Sequence, residues 1–135
     1  MKLAFIVIDD SELDCFVSRK IIEHVDKSLN VKTYQNAELA IEIIKDNPID
    51  NSEGLTIILL DLHMPIMNGF QFVEEFEKLP IQKQKKYMIV VLSSTRNAND
   101  ISRILSYNGV ESMLEKPLTL EKLTSLVHRV QQGLN

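Results

Sequence analysis

Only one cysteine, Cys15, occurs in the 135 residues, so no internal disulfide can form and a reducing, cytoplasmic setting is expected. A basic surplus is also missing: 15 Lys and Arg stand against 19 Asp and Glu, a formal net charge of −4. Proteins that grip nucleic acid through its phosphates normally show the opposite balance, so that partner class is set aside. No apolar run approaches the roughly 18 residues that a membrane-spanning helix needs. Met1-Lys2 followed by Leu3 to Ile8 briefly resembles a secretion signal, but Asp9-Asp10 ends the apolar run and no small-residue cleavage site follows. Linkers, internal repeats and low-complexity segments are lacking too. With 44% hydrophobic and 25% charged residues, neither disorder nor a fibrous repeat is indicated. The expectation is a single domain, residues 1–135, with no attached output module, since a second domain would need roughly 50 further residues.

What the chain does contain is an alternation of two hydrophobic patterns. Leu3 to Ile8, Thr56 to Leu60 and Tyr87 to Leu92 are nearly continuous in apolar residues, as strands buried on both faces are. Val31 to Tyr34 and Val110 to Leu114 alternate instead, which suits edge strands with one exposed side. Helical stripes lie between them. Leu13, Phe16, Val17, Ile21 and Val25 form one after a Ser11 cap, and Leu39, Ala40, Ile43 and Ile44 form another after Asn36. Phe72, Val73 and Phe76 mark a third that ends near Pro80. Asn97 opens a fourth, with Asp100 at the capping-box position, Ile101, Ile104 and Leu105 facing inward and Gly109 as the stop. Leu120, Leu123, Val127, Val130 and Leu134 complete a fifth. The polar stretch Gln82 to Lys86, with Lys83, Lys85 and Lys86, reads as a solvated loop.

The resulting order, βαβαβαβαβα, implies a parallel sheet with right-handed crossovers and helices on both faces. With the alternating strands at the edges, the strand order is 2-1-3-4-5. That is an α/β fold, flavodoxin-like and doubly wound, (βα)5 with a parallel five-stranded sheet. Its switch point falls between strands one and three, and ligands bind such sheets at the carboxyl ends of the strands.

Those ends carry the chemistry. Strand one ends in Asp9-Asp10, strand three in Asp61 and strand four in Ser93-Ser94, and strand five is followed by Lys116-Pro117. Three carboxylates on one rim repel, and each raises the others' pKa. A hard divalent cation such as Mg2+, which takes oxygen ligands and keeps some of its waters, resolves the conflict. With Lys116 it brings the local charge to zero. An Asp at a strand end is most often a cap or turn residue; four strand ends supplying complementary groups to one rim are far more specific. His24, His63 and His128 show no metal-ligand spacing and read as surface or boundary residues, and Cys15 reads as structural.

The segments Ile6-Val7-Ile8-Asp9-Asp10, Leu60-Asp61-Leu62-His63-Met64-Pro65-Ile66-Met67-Asn68-Gly69, Val90-Val91-Leu92-Ser93-Ser94 and Gly109 through Pro117 strongly resemble the receiver domain of two-component response regulators. The resemblance runs from about Lys2 to about Gln132, in family order, as in the stand-alone, chemotaxis-regulator-like members. It implies a signalling switch that is not an enzyme beyond its own phosphorylation and dephosphorylation. Asp61 would accept a phosphoryl group from a sensor histidine kinase or a histidine phosphotransfer protein. Asp10, Asp61 and the backbone carbonyl of His63 would hold Mg2+, with Asp9 acting through water. Lys116 would pair first with Asp61 and then with the phosphoryl oxygens, and Ser93 would be the switch hydroxyl, Ser94 the fallback. The Lys116-Pro117 bond is expected to be cis. Ser93 stands where the family usually has Thr, Met113 where many members have an aromatic, and Asn68 where Asp is common. Output is expected through the helix after Asn97, the strand at Val110 to Leu114 and the final helix, read by a downstream protein rather than by nucleic acid or membrane. Two other classes compete: a pseudo-receiver binding module without phosphate chemistry, and an aspartyl-nucleophile phosphatase. The first would not need all five key side chains. The second resembles Asp-x-Asp, where this chain has His63, and its cap domain does not fit within 135 residues.

Overall fold

A computed structural model describes residues 2–49 and 54–133. Met1 and Leu134, named above, lie outside the described residues. The elements run β1 (Lys2–Ile8), α1 (Glu12–Val25), β2 (Asn30–Tyr34), α2 (Ala37–Asp46), β3 (Gly54–Leu60), α3 (Gly69–Phe76), α4 (Ile81–Gln84), β4 (Tyr87–Ser93), α5 (Ala98–Leu105), β5 (Val110–Glu115) and α6 (Leu120–Gln131). All four strand pairings are parallel and the order is β2-β1-β3-β4-β5, as expected for the flavodoxin-like arrangement. The three inner strands are buried on both faces because each face is covered. Ile8, Ile58, Leu60 and Val91 pack under α2, α3 and α5, and Phe5, Val7, Ile57 and Leu92 pack under α1 and α6. Side chains alternate between the two layers along each strand.

Several helix faces differ from the predicted stripes. In α1, Leu13 and Phe16 are 68% and 56% exposed and Val17 is exposed as well; the inward residues are Cys15, Ser18 and Ile22, with Ile21 and Val25 at the margin. Small side chains at 15 and 18 let this helix lie close to the sheet and to α6, and hydrophobicity alone points to their larger neighbours. Leu39 and Ile43 of α2, Leu105 of α5 and Leu120 of α6 are likewise exposed, while Ala37, Ile41 and Leu126 are inward.

The stretch Gln82 to Lys86 is not a solvated loop. A sixth helix, α4, occupies Ile81–Gln84, and Lys83 is buried, its ammonium donating to the Ile44 and Lys45 carbonyls at the end of α2 (2.9 and 2.5 Å). Those last-turn carbonyls have no partner within their own helix. Nor does Gly109 stop α5, which ends at Leu105; the Gly109 N–H donates instead to Glu77 Oε2 at 2.8 Å. Asn97 caps α5 by accepting the Asp100 N–H, but its own N–H donates to Thr95 Oγ1, so Asp100 closes no capping box. The reciprocal box is at Asn68 and Gln71, opening α3. Asn68 therefore serves as a cap where Asp is common in the family.

Candidate functional site

Backbone hydrogen bonds that continue the sheet past the strand ends align the rim. The Asp9 N–H donates to the Tyr34 carbonyl (3.0 Å), Asp61 to Ile8 (2.9 Å) and Lys116 to Ser93 (2.9 Å). The Lys116-Pro117 peptide is cis, as expected. Gly69 closes the loop after β3: its N–H donates to the Leu62 carbonyl at 2.9 Å, and a Cβ there would stand 2.6 Å from the Asp61 carbonyl oxygen. The absent side chain lets α3 begin against the end of β3.

Carboxylate oxygens of Asp9, Asp10 and Asp61 come within 4.8 Å of one another. Asp9 and Asp61 are buried and Asp10 is exposed. Both Asp9 oxygens are engaged, Oδ1 accepting the Ser11 N–H at 2.9 Å and Oδ2 the Lys116 ammonium at 2.7 Å. Asp61 Oδ1 accepts the Leu62 N–H at 3.0 Å. Burial, followed by the charge of Asp9, pushes the Asp61 carboxyl up to about 6, against the pull of Lys116. Burial is the larger cause, and repulsion from Asp9 and Asp10 adds to it. An all-oxygen, hard donor set with surplus negative charge fits Mg2+.

Lys116 makes the expected ion pair with Asp61, and two closer ones besides. Its ammonium is closest to Asp9 Oδ2 (2.7 Å) and Asp14 Oδ2 (2.9 Å), and stands 3.6 Å from Asp61 Oδ1. Burial would lower its pKa, but the hydrogen bonds to Asp9 and Asp14 prevail and hold it above the usual lysine value. Asp14 belongs to no expectation drawn from the sequence. Its only advance signal is an acidic residue three positions after the Ser11 cap, in the first turn of α1.

Ser93, fully buried at the end of β4, accepts the Thr95 N–H at 3.1 Å. It pairs with Glu115 in register and shares a sheet face with Met113, the partner of Val91. Ser94 is exposed and lines a cavity of about 410 Å3 with Asp14, Val17, Lys116 and Pro117. His63 is exposed beside the rim, its Nε2 3.6 Å from Asp100 Oδ2; His24 and His128 lie elsewhere on helices α1 and α6. The Cys15 thiol donates to the Asp9 carbonyl at 3.2 Å, and burial, then the charges of Asp9 and Asp14, push its pKa to about 11. It stays protonated and structural.

Residues 5–128 match the response regulator receiver domain family. The crystal structure of a response regulator receiver protein from Dyadobacter fermentans superposes with a TM-score of 0.82 at 31% identity, covering 94% of this chain and 96% of that one. Two-component response regulator 24 of Arabidopsis thaliana is 26% identical over 96% of this chain and 84% of its own length. The autoinducer 1 sensor kinase/phosphatase LuxN of Vibrio harveyi is 32% identical over 87% of this chain, which spans only 12% of that protein. No helix among the described residues is long and apolar enough to cross a membrane.

Proposed function

The chain belongs to the response regulator receiver domain family of two-component signalling, and on that premise we propose that residues 1–135 act as one phosphorylatable switch with Asp61 as the phosphoacceptor. The carrying observation is the trio Asp9, Asp10 and Asp61, whose carboxylate oxygens lie within 4.8 Å of one another with Lys116 among them. In the transfer, an Asp61 carboxylate oxygen attacks phosphorus, a new P–O bond forms and the bond to the donor breaks, the donor leaving with that electron pair. Such transfers need little covalent help and much positioning and charge neutralisation.

Asp10, Asp61 and the His63 backbone carbonyl would hold Mg2+, which when bound supplies the charge neutralisation that three carboxylates require. Asp9, with both oxygens already engaged, would reach the ion through water. Lys116 would bind the phosphoryl oxygens. Ser93, buried on the Met113 side of the sheet, would turn toward the new acceptor. Met113 lines a cavity of about 550 Å3 with Thr95, Arg96, Ile101, Leu105 and Glu115, and an unbranched side chain can repack there. The surface of α5, β5 and α6 would then be what a downstream protein reads. The donor class is a sensor histidine kinase or a histidine phosphotransfer protein, in the cytoplasm, and the chain would be no enzyme apart from turning over its own acyl phosphate.

Intact mass after treatment with Mg2+ and acetyl phosphate tests the central role. One added phosphoryl group is expected, absent in Asp61→Ala; equal labelling of that variant would remove Asp61 from the role and favour the pseudo-receiver or another acceptor.

A further inference from the structure

Lys116 is held by one carboxylate that the proposed chemistry does not use. Asp14 sits in the first turn of α1, its backbone fixed by its N–H donating to Ser11 Oγ at 3.1 Å. From there its Oδ2 accepts the Lys116 ammonium at 2.9 Å, while Asp61 Oδ1 is 3.6 Å from the same nitrogen. An ammonium has three protons to donate; Asp9 and Asp14 take two of them. The two holders are not equivalent. The Asp9 side chain is 4% exposed and also bound to the Ser11 N–H, whereas that of Asp14 is 43% exposed and can turn out to water.

Asp14 also changes the local charge. Four carboxylates, not three, now face the positive charges of Lys116 and a divalent ion, so the site is about one unit negative before any phosphoryl group arrives. An anionic donor enters against that charge. A bound phosphoryl group, itself about −1.5 to −2, competes with Asp14 for the lysine.

We propose that Asp14 is a positioning residue that withholds Lys116 from Asp61 in the unphosphorylated protein and so acts as a releasable brake on phosphoryl transfer. This rests on the reading of Asp61 as phosphoacceptor. With acetyl phosphate the step forms the bond from an Asp61 oxygen to phosphorus and breaks the bond from phosphorus to acetate, which departs with the electron pair. Asp14 takes no part in the bonds. It sets where the lysine stands when they exchange.

The test compares Asp14→Asn, which removes the charge and keeps the shape, with Asp14→Glu, which restores the charge. Intact mass over time with Mg2+ and acetyl phosphate should show Asp14→Asn labelled about three- to fivefold faster than the unaltered protein, as suits a half-exposed ion pair, with the gap narrowing at high salt. Asp14→Glu should stay within about twofold of the unaltered protein. Equal rates for Asp14→Asn and the unaltered protein, or Asp14→Glu as fast as Asp14→Asn, would overturn the brake. In parallel, the 15N signal of the Lys116 ammonium is followed in the metal-free, unphosphorylated protein, where it should move in Asp14→Asn and return in Asp14→Glu. If the unaltered protein takes no phosphoryl group on Asp61, the phosphoacceptor reading fails by itself. The ammonium signal then still decides on Asp14: a shift upholds its hold on Lys116, and an unmoved signal refutes it.

Discussion

The two rims of the sheet each hold a largely buried lysine, and the two are partnered in opposite ways. At the amino rim, Lys83 donates to the carbonyls of Ile44 and Lys45, dipoles at the end of α2. A cation there also meets the negative end of the helix dipole. That arrangement gives the ammonium two carbonyl acceptors and no carboxylate partner among the described residues. At the carboxyl rim, Lys116 stands among Asp9, Asp14 and Asp61, and the carboxylates it cannot fully neutralise repel one another. The same rim carries Ile66, a β-branched residue at φ 70°. The buried lysine of the amino rim is matched to helix-end carbonyls, and the carboxyl rim keeps repulsion and strain in the folded state. Such unrelieved features cluster where a protein must respond to something.

The largest expected effect separates the two lysines. Lys83→Met keeps the stem and removes the ammonium, leaving two buried-side carbonyls without their charged donor. A loss of about 3 kcal/mol is expected, because hydrogen bonds to charged groups contribute about 1.5–3 kcal/mol each and are not additive. Urea unfolding measures the loss, and labelling by acetyl phosphate should proceed at the original rate in the folded variant. Lys116→Met should do the reverse, slowing labelling by about tenfold or more through loss of its charge at the phosphoryl group. Slow labelling of Lys83→Met would break the division between the rims.

A smaller effect sharpens the contrast by relieving the carboxyl rim. In the metal-free protein the Asp61 carboxyl lies near 6, above its ordinary value of 3.8. The folded state thus binds this proton more tightly than the unfolded state does. The stability it contributes is full below about pH 4 and is lost as the pH rises to about 6. Asp61→Asn removes the charge, so it should flatten that slope and raise stability at pH 7 by about 1–2 kcal/mol, after allowance for the solvent that still reaches the group. Urea unfolding in chelator from pH 4 to 7 checks both. A variant less stable than the unaltered protein at pH 7 would show that the charged, buried Asp61 carboxylate costs the folded state nothing there.

The rim was legible in the sequence because it needs only chain order and parallel topology. Once three apolar runs are central strands and the alternating run at Val110 is an edge strand, the residues just beyond these four must share one rim, and Asp9, Asp10, Asp61, Ser93 and Lys116 follow. The helix faces were harder. In α1 the choice between Phe16 and the pair Cys15 and Ser18 turns on how closely the helix approaches its neighbours, which hydrophobicity does not encode. Lys83 was hidden for a similar reason: a polar stretch looks solvated until its lysine is found at the end of α2, 39 residues earlier. Asp14 lies 102 residues from Lys116, and the contact exists only after α1 packs beside the loop that follows β5. Tertiary closure creates it.

Ile66 supplies the smallest effect and the cleanest separation of strain from charge. It is 82% exposed, so its side chain gains almost nothing from burial. Its N-terminal and C-terminal neighbours close a three-residue turn, the Met67 N–H donating to the Pro65 carbonyl at 2.8 Å across a central φ of 70°. Turns of that hand are rare and strained, and for an L-residue with a Cβ the left-handed region costs about 1–2 kcal/mol. Glycine has no such penalty but makes the unfolded chain more flexible, which costs about 0.4–1 kcal/mol. Ile66→Gly should therefore be more stable by about 0.5–1 kcal/mol, the difference of those two effects. Ile66→Val keeps the branched Cβ and should change nothing measurable. The urea midpoints of the two variants decide. If Ile66→Gly is the less stable, the turn is not strained, and the carboxyl rim differs from the amino rim in its charges alone.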